Sequence, residues 1–478
     1  MDITLPRKKR IGSVVPHLLM VLLPLFFGSS YTLAEELSSD EGYDSDVLPP
    51  VYQSMDIDDV WDVFQRAKSF DALYLQAISQ HGADVEVSEQ AFGRLLPSVS
   101  LDASQARTHQ EIISSDNTVF GSGTSSYSST RYGISFSQAL FDWDVFSTLE
   151  QSDKEVLKAN AQLKLAEQEL ILRVAERYLT VLAAQDNLEF SLKEEQAVKE
   201  QSDVSKARFD AKLGREADYL EAKARFSSVY ATRITAENFL DDTFEAIREI
   251  SGASASKVKQ LRDDVELEKP QPNVVTEWVD RAMAGNLRVR SQRFAMESSK
   301  LEIQKQKSGH YPTLELVAGW HKEDVDGSLF GGGSDVDTAD VAIQFQMPLY
   351  MGGQVSSRVR QVSKLHESDR DKLREDMRAV SRETRSAFLD LDSATRTIAS
   401  LADAIEAQLV VVETKRKGYP RLYTSKDVLD AERDLYSVKR DWAKSRYDYL
   451  LSSLRLKSAE GSLQTSDLND MNALFETL

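Results

Sequence analysis

Two carboxylates near the C-terminal end of the chain are the clearest candidates for a site with chemistry. Asp427 and Asp430 are three residues apart, so in a helix they share one face. Gly418 and Pro420 stand a few residues before them, and a helix interior rejects both residue types. We therefore expect a turn there and a new helix that displays the two carboxylates. Two acidic groups so close together repel each other and attract cations.

A second interpretation of this pair requires no function. Acidic side chains in the first turn of a helix are favoured by the helix dipole, and Thr424 or Ser425 could cap the same turn. The residues alone leave both interpretations open. A related pair, Asp218 and Glu221, stands 209 residues earlier and could add to the negative charge.

No other part of the sequence has the pattern of a catalytic, metal or cofactor site. It contains no phosphate-binding loop, no glycine-rich dinucleotide turn and no regular spacing of metal ligands. The six histidines are scattered, and Gly331 to Gly333 lie between predicted strands rather than before a helix. We therefore expect a protein that is not an enzyme and that uses no cofactor.

The elements that must position the carboxylates are very long helices. Gly214 is the only glycine or proline in residues 134–251. Gly418 and Pro420 are the only ones in residues 354–460. Each stretch therefore predicts two helices folded back at a single apex.

The first of these arms, roughly residues 147–212, would be about 100 Å long. Hydrophobic residues seven positions apart predict a coiled-coil seam along it, and they are Leu149, Val156, Leu163 and Leu170. A soluble enzyme core does not need a helix of this length, whereas a protein that spans a wide gap does. Gly214 is expected to supply a backbone turn that β-branched residues resist.

Alternation of apolar and polar residues predicts four strands, at about residues 97–107, 131–141, 312–320 and 340–350. In the first strand Val99, Leu101 and Ala103 alternate with polar residues. Polar segments predict a loop after the first strand of each pair, about residues 108–130 and 321–338. Each strand has about ten residues, the length of a tilted strand that crosses a membrane.

The order of elements occurs twice. Phe136 matches Phe345, and the pair at Asp218 matches the pair at Asp427, with the same offset of 209 residues. We interpret residues 56–265 and 266–463 as two repeats, with hairpin apices near residue 214 and near residues 418–423. Each repeat is expected to open with one helix, to about Ala91 in the first and from about Val274 to Ser308 in the second. Residues 464–478 are then a C-terminal tail.

The N-terminal residues predict export. Residues 1–34 have a basic start, an apolar run and small residues before Ala34, which is the pattern of a signal peptide. Residues 35–55 are acidic and polar and predict a flexible leader. The chain has no cysteine and a net charge of -19. A chain this acidic should avoid nucleic acid.

Beyond the signal peptide we find no apolar run of about 18 residues, so a helical membrane span is not expected. Entry into a membrane would then require a β-barrel. Four strands cannot close one, because membrane barrels start at about eight strands. The chain must therefore oligomerise, most simply with rotational symmetry.

Four segments in the same order resemble the TolC-like outer-membrane channels of bacterial efflux and type I secretion. They are LLPSVSL (residues 95–101), FSQALFDWD (residues 136–144), ARFDAKLGREADYLEA (residues 207–222) and DVLDAERDLYSVKRDWAKSRYDYLLSSLRLKSAEGSL (residues 427–463). The resemblance covers nearly all of the chain from Asp56 to Leu463.

The resemblance implies a mainly α-helical protein with a membrane β-barrel contribution. Three chains of four strands would close a 12-stranded β-barrel in the bacterial outer membrane, on a long periplasmic α-helical barrel. The homotrimer would export substrates with a periplasmic adaptor and an inner-membrane transporter, either ABC or proton-driven, in type I protein secretion, drug efflux or both. The alternative is an exported coiled-coil scaffold or stalk without a pore, which would not need four strands of membrane length.

The resemblance also implies roles for residues at the apices. Asp427 and Asp430, with a contribution from Asp218 and Glu221, would form a negative ring at the narrow periplasmic gate, with six carboxylates from the first pair in three chains. The family often has an arginine latch here; the candidates in this chain are Tyr419, Arg421 and Tyr423. The residues expected at the apices and in adaptor docking are Leu213, Gly214, Gly418, Pro420 and Leu422.

Aromatic residues flank the predicted strands. They would form girdles against outer-membrane lipid at the membrane interfaces, or else pack where strands meet helices, and they are Tyr132, Phe141, Trp143, Tyr311, Trp320 and Tyr350.

Overall fold

The computed structural model describes residues 59–114, 123–253, 258–262, 265, 267, 269–328, 332–419 and 421–476. The predicted signal peptide (residues 1–34) and acidic leader (residues 35–55), together with Gly331 and Pro420, lie outside the described residues.

The first half of the chain contains two short helices, a strand pair and two long helices, followed by a short strand. Their bounds are α1 Val60–Phe70, α2 Ala72–Gly93, β1 Ser98–Ile112, β2 Gly123–Phe141, α3 Trp143–Asp210, α4 Glu216–Ser251 and β3 Gln260–Leu261. The second half has the same order of helices and strands, followed by a short helix and strand. Its elements are α5 Val275–Gly285, α6 Leu287–Lys307, β4 Thr313–Val325, β5 Ser334–Gln346, α7 Gln354–Gly418, α8 Ser425–Glu460, α9 Thr465–Asn472 and β6 Phe475–Glu476.

Each half opens with two helices where the sequence predicts one. Asp71 separates α1 from α2, and its side chain accepts a hydrogen bond from the Tyr74 N–H (2.7 Å). Asn286 separates α5 from α6, accepts from the N–H groups of Arg288 and Val289, and donates to the Ala459 carbonyl (2.8 Å). An Asp or Asn side chain that caps a new helix therefore ends the preceding one without help from proline.

The four main strands form one antiparallel sheet in the order β1-β2-β4-β5. Neighbouring strands β2 and β4 come from different halves of the chain, so the sheet joins the two halves. Strands β1 and β5 are the outer strands.

The strands extend into segments that the sequence predicts as loops. Strand β1 continues to Ile112 and β2 begins at Gly123, whereas the predicted loop covers residues 108–130. Serine and histidine side chains bond across this part of the pair, as between His109 Nδ1 and Ser126 Oγ (2.7 Å). Backbone pairing with these cross-strand bonds overrides a composition that is typical of loops. The predicted loop at residues 321–338 is shortened in the same way, because β4 ends at Val325 and β5 begins at Ser334.

The main hydrophobic core lies where α1, the middle of α3, the end of α4 and the end of α8 meet. Phe64, Tyr178, Ile247 and Leu450 are buried in this core. The apolar periodicity of the two arms supplies its larger side chains.

The segment predicted as a tail, residues 464–478, folds against this core through its described residues. Leu468 and Met471 of α9 are buried in it. Strand β6 pairs with β3, and the Phe475 ring lies 5.3 Å from the ring of Tyr178. Burial of these apolar side chains stabilises the folded conformation of this segment, although the segment is short and polar.

Helices α3 and α7 contain 68 and 65 residues, so each arm is about 100 Å long. The helices α3 and α4 turn back on each other through residues 211–215, and α7 and α8 turn back between Gly418 and Ser425. None of the helices in the described part of the chain has an apolar stretch sufficient to cross a bilayer.

Candidate functional site at the hairpin apices

The apex of the first hairpin turns through a lysine rather than a glycine. Lys212 has a left-handed backbone (φ 60°), and the Leu213 N–H donates to the Arg208 carbonyl (2.8 Å). Gly214 is not left-handed, which corrects the prediction that it supplies the turn. A Cβ at Gly214 would lie 3.2 Å from the Arg208 Cβ, so glycine is favoured there because the chain passes close by.

The apex of the second hairpin closes on Gly418. The N–H groups of Arg421 and Leu422 both donate to the Gly418 carbonyl, at 2.9 and 2.8 Å. A Cβ at Gly418 would lie 2.6 Å from Tyr423 Cδ2, so only glycine leaves room for this ring against the turn. Pro420, predicted as part of this apex, lies outside the described residues.

Asp427 starts helix α8 through a reciprocal cap. The N–H and the hydroxyl of Thr424 both donate to Asp427 Oδ2 at 2.7 Å, and the Asp427 N–H donates to Thr424 Oγ1 at 3.2 Å. The two hydrogen bonds from Thr424 lower the pKa of the Asp427 carboxyl. The capping interpretation is therefore realised within one chain, and the same bonds keep Asp427 ionised.

Asp430 lies on the same outward side of α8. Its carboxylate is partly exposed and lies 3.4 Å from Arg433, which contacts Asp434 more closely at 2.8 Å. Val428 and Leu429 point to the opposite side and are buried. The sequence prediction that Asp427 and Asp430 share a face agrees with this arrangement.

The related pair on the first hairpin is differently bound. Arg215 holds Asp218 through two contacts, Nη2 to Oδ1 at 2.8 Å and Nε to Oδ2 at 3.2 Å. Glu221 is exposed. Because a two-point contact with arginine neutralises Asp218 locally, this pair contributes less negative charge than Asp427 and Asp430.

The candidate latch residues lie where the two apices meet. The guanidinium of Arg208 lies 5.9 Å from the centre of the Tyr419 ring, which joins the first apex to the second. Tyr423 packs against Gly418, as described above. Arg421 is exposed and forms no ion pair with any carboxylate in the part of the chain that the structure describes.

Beside the apices lies an arginine contact that the sequence analysis missed. Arg416 of α7 approaches Glu432 of α8, with Nη2 at 2.6 Å and Nε at 2.7 Å from Oε1. Glu432 is only 2% exposed. Burial raises the pKa of Glu432, with Arg416 opposing this and the nearby Glu200 and Glu194 adding to it. The sequence contains a signal for this contact, because Glu432 stands three residues from Leu429 and from Leu435 on an otherwise apolar stripe of the helix.

Further contacts join the two hairpins to each other. Ser425 at the start of α8 accepts a hydrogen bond from Gln201 of α3 (2.8 Å). Glu194 of α3 pairs with Arg225 of α4 (3.4 Å) and with Arg440 of α8 (3.2 Å). Glu194 is itself buried, so this three-membered group fixes the first hairpin against α8.

The aromatic residues singled out in the sequence lie at two levels of the sheet. Tyr132 and Trp320 pack edge to face at 6.0 Å within strands β2 and β4. Trp143 and Tyr311 pack in the same manner at 6.2 Å, where the sheet meets the helices. Phe141 lies near this second level against Phe146, and Tyr350 lies between β5 and α7 with 87% of its surface exposed.

Within the described ranges no group of three or more His, Asp or Glu side chains is arranged to hold a metal ion. The candidate site is therefore a set of charges, aromatic rings and turns at the two apices.

Comparison with known proteins gives matches over most of the chain. The profile of the family described as "Outer membrane efflux protein" matches residues 77–253 and 278–462, and each segment contains one strand pair and one long helical hairpin. The outer membrane protein TolC of Vibrio cholerae is 29% identical over 416 residues, 86% of this chain and 92% of that protein. The alkaline protease secretion protein AprF of Pseudomonas aeruginosa is 26% identical over 417 residues, 87% of this chain and 86% of that protein.

Among solved structures, the CmeC outer membrane channel of Campylobacter jejuni superposes with a TM-score of 0.70 at 15% identity, over 87% of this chain and 89% of CmeC. This likeness shows a common fold. The profile match over both halves of the sequence establishes that the chain belongs to the outer membrane efflux protein family.

Proposed function

We propose that three copies of this chain form a channel in the bacterial outer membrane that extends into the periplasm and exports substrates. An inner-membrane transporter, ABC or proton-driven, would load the channel, and a periplasmic adaptor would join the two. Type I protein secretion, drug efflux or both would use this route. The name of the relative AprF, an alkaline protease secretion protein, supports the first of these.

The observation that carries the proposal is the exposed apolar face of the sheet. Leu101 pairs with Ile134, and Ile134 pairs with Trp320, so these residues lie side by side on one face. Val341 of β5 is on the same face, and Leu101 and Val341 are 77% and 76% exposed. So large an exposed apolar surface is unfavourable in water but is stabilised by contact with lipid.

The opposite face of the sheet is polar. The hydroxyls of Ser98 and Ser137 bond at 2.9 Å, and those of Ser100 and Ser135 at 3.0 Å. A sheet with lipid on its apolar side and a water-filled passage on its polar side satisfies both faces. A scaffold without a pore has no need of such a division.

The outer strands β1 and β5 support trimerisation. An unpaired strand edge is unfavourable in lipid, because its backbone N–H and C=O groups have no water to bond. Pairing β5 of one copy with β1 of the next would join three four-stranded sheets into a closed set of twelve strands. The helical arms of about 100 Å would then carry the apices far from the membrane.

The apices supply a gate in this proposal. Asp427 and Asp430 would contribute six carboxylates near the threefold axis of a trimer, and the Thr424 cap keeps Asp427 ionised. Such a ring favours cations and can bind multivalent ones. The exposed leucines Leu213 and Leu422 at the two turns are the proposed adaptor contacts.

The aromatic residues at the junction of the sheet and the helices also have a place in this proposal. Trp143 and Tyr311 lie at the junction of the sheet and the helices, where the inner boundary of the outer membrane would be. Tyrosine and tryptophan suit this boundary because each has an apolar ring with a polar tip.

The test is replacement of the resident channel in a Gram-negative host that lacks its own. Expression of this chain should restore secretion of a type I protein substrate, drug resistance, or both, and the protein should fractionate with outer membranes. Extracted in mild detergent, it should migrate as a trimer. A chain that stays a monomer in detergent, or that is fully water-soluble after export, would contradict the proposal.

A further inference from the structure

His321 of strand β4 lies on the polar face of the four-stranded sheet. It pairs with Gly133 of β2 and with Thr338 of β5. Gly133 is two residues from Ser135, whose hydroxyl lies on the polar face, and residues two apart in a strand share a face. His321 is also roughly 25 Å along β4 from Thr313, where the strand begins. It is therefore remote from the junction of the sheet and the helices.

Two glycines leave space around this histidine. A Cβ at Gly133 would lie 2.8 Å from the His321 Cβ, so only glycine lets β2 and β4 approach this closely. On β4 itself Gly319 is two residues from His321, and a Cβ there would lie 3.2 Å from Asp340 Oδ1. The carboxylate of Asp340 therefore leans across Gly319, towards the strand that carries His321.

Charged groups surround His321 on this face of the sheet. They are Asp102 of β1, Arg131 of β2, Glu323 of β4 and Asp340 of β5. Asp102 pairs with Gly133, so no side chain in that row separates it from His321. Arg131 pairs with Glu323, two residues further along β4. The histidine thus stands in a setting with more carboxylates than cations.

The imidazole of His321 has no hydrogen-bond or ion-pair partner among the side chains that the structure describes. By contrast, His81 bonds to Asn160 at 2.8 Å and His366 bonds to Ser299 at 3.1 Å. The His321 side chain is also partly exposed. It is therefore free to exchange a proton with water.

Protonation of His321 changes the charge of the polar face substantially. Within the paired residues of the four strands, this face carries four carboxylates and one arginine, which are Asp102, Glu315, Glu323, Asp340 and Arg131. Histidine is the side chain whose charge ordinarily changes between about pH 5 and pH 8. Protonation of His321 then offsets one of the three excess negative charges in each chain.

We propose that His321 makes the ion selectivity of the channel depend on the pH of the external medium. This inference rests on the proposed function, in which the polar faces of three copies surround a water-filled passage. Three imidazoles then lie at one level of that passage. At neutral pH they carry little charge and the carboxylates favour cations, whereas in acid the imidazoles become positive and oppose that preference. The channel is therefore less selective for cations in an acidic medium.

The position of His321 suits control from outside the cell. The helices begin at the level of Trp143 and Tyr311, so the far ends of the strands face the medium in the proposed arrangement. The proposed gate carboxylates Asp427 and Asp430 lie at the opposite end of the helical arms. Acid applied on the outer side alone would therefore act on His321 and leave the gate at its own pH.

The experiment records the purified full-length trimer in planar bilayers, with a potassium chloride gradient and a separately buffered pH in each chamber. The trimer is added to one chamber. Because the polar helical arms cannot cross the bilayer, the far ends of the strands face the other chamber. Lowering the pH of that chamber from about 8 to about 5.5 should reduce the potassium-to-chloride permeability ratio by roughly twofold. The effect is modest because the charges act through water and are screened over about 10 Å at 0.1 M salt.

Two replacements of the same residue test the assignment. His321→Gln keeps a polar side chain that does not titrate, so its permeability ratio should be the same at both pH values. His321→Arg is positive at both pH values, so at pH 8 it should already have the reduced ratio that the unchanged protein has in acid.

His109→Gln is the matched control. His109 is in β1 of the same sheet, but an even number of residues from Leu101, so it lies on the apolar face. Its variant should keep the pH dependence of the unchanged protein. Circular dichroism and trimer migration should be unchanged in all variants, so that altered selectivity is not altered folding.

A permeability ratio that still falls in acid in His321→Gln would overturn the inference. So would a His321→Arg variant with the ratio of the unchanged protein at pH 8, or a loss of the pH dependence in His109→Gln. A conducting trimer whose selectivity does not respond to outer pH would contradict this inference alone. A chain that forms no conducting channel would contradict the proposed function as well.

Discussion

Arg416 and Glu432 form an ion pair across the second hairpin, with Nη2 of the arginine 2.6 Å from Oε1 of a carboxylate that is almost fully buried. The second oxygen of Glu432, Oε2, is buried and has no hydrogen-bond partner among the described residues. The charge of Glu432 therefore depends on a single partner, which is itself half-exposed.

We expect Arg416→Ala to destabilise the hairpin more than Glu432→Gln. Removal of the arginine leaves a buried carboxylate without its partner, at a cost of about 3 kcal/mol. The glutamine removes the charge together with the need for the arginine. The double variant should therefore be more stable than Arg416→Ala alone, as measured by thermal unfolding of the trimer followed by helical circular dichroism. Equal losses in both single variants, adding in the double variant, would show that the two residues are not coupled.

The raised pKa of Glu432 also predicts a pH dependence. Its ordinary value is 4.5, and burial raises the pKa in the folded protein. Between pH 4.5 and the raised value the folded state binds one more proton than the unfolded state, so this group lowers stability as pH rises through that window. Glu432→Gln should remove this part of the pH dependence. A stability profile that is the same in Glu432→Gln and in the unchanged protein would contradict the assignment.

Replacing both Asp427 and Asp430 with alanine should reduce cation selectivity in planar bilayers and weaken block by divalent or trivalent cations from the periplasmic side. The two replacements should differ in their effect on folding. Asp427→Ala also removes the two hydrogen bonds that Asp427 accepts from Thr424 in the cap of α8 and should lower the thermal midpoint, whereas Asp430→Ala should not. Asp434→Ala is the control, because it removes the same charge one turn further along α8. Unchanged selectivity in the double variant would exclude these residues from the gate.

The left-handed backbone of Lys212 predicts that a substitution there raises stability. Lys212→Gly should stabilise the protein by about 1 kcal/mol, since glycine adopts a positive φ without strain. Gly214→Ala should lower stability slightly, because its Cβ would crowd Arg208. Thermal unfolding of the two variants checks both effects, and a destabilised Lys212→Gly would contradict the turn geometry.

The break between helices α5 and α6 at Asn286 predicts that two substitutions there lower the stability by different amounts. Asn286→Ala should lose the cap of α6 and the bond to Ala459, at a cost of about 2 kcal/mol. Asn286→Ser should keep the cap and lose only the bond to Ala459, so its loss should be smaller. Thermal unfolding distinguishes the two, and equal stability of both variants would mean that the cap contributes nothing.

The long helices and the four strands could be predicted because few residues control them. Helix-breaking residues occur only at residue 214 and at residues 418 and 420 in two very long stretches, so the hairpins can be predicted from these positions alone. The helix breaks at Asp71 and Asn286 were missed, since a capping side chain ends a helix without the glycine or proline signal. The ends of β1 and β2 were missed because cross-strand contacts such as that of His109 and Ser126 are not local in sequence.

Part of the candidate site could also be predicted from the sequence, because it depends only on the spacing of residues along one helix. The shared face of Asp427 and Asp430 follows from a spacing of three residues. The pair Arg416 and Glu432 depends on which sides of two antiparallel helices face each other, and the contact of Arg208 with Tyr419 depends on how two hairpins lie side by side. Both are properties of tertiary packing, which the order of residues along one helix does not specify.

The closure of the main core by the last described residues has a consequence for the order of folding. Asn472 and Lys259 both donate to Asp59 Oδ2, at 3.3 and 3.1 Å, so the first and last described segments meet across a separation of 413 residues. Contacts this distant in sequence form slowly, because the intervening chain must be ordered first. The early helix α1 cannot complete its surroundings until α9 and β6 have emerged. A chain in the course of synthesis therefore carries exposed apolar surface until α9 and β6 have been made, and we expect its maturation to depend on protection by a chaperone up to that point.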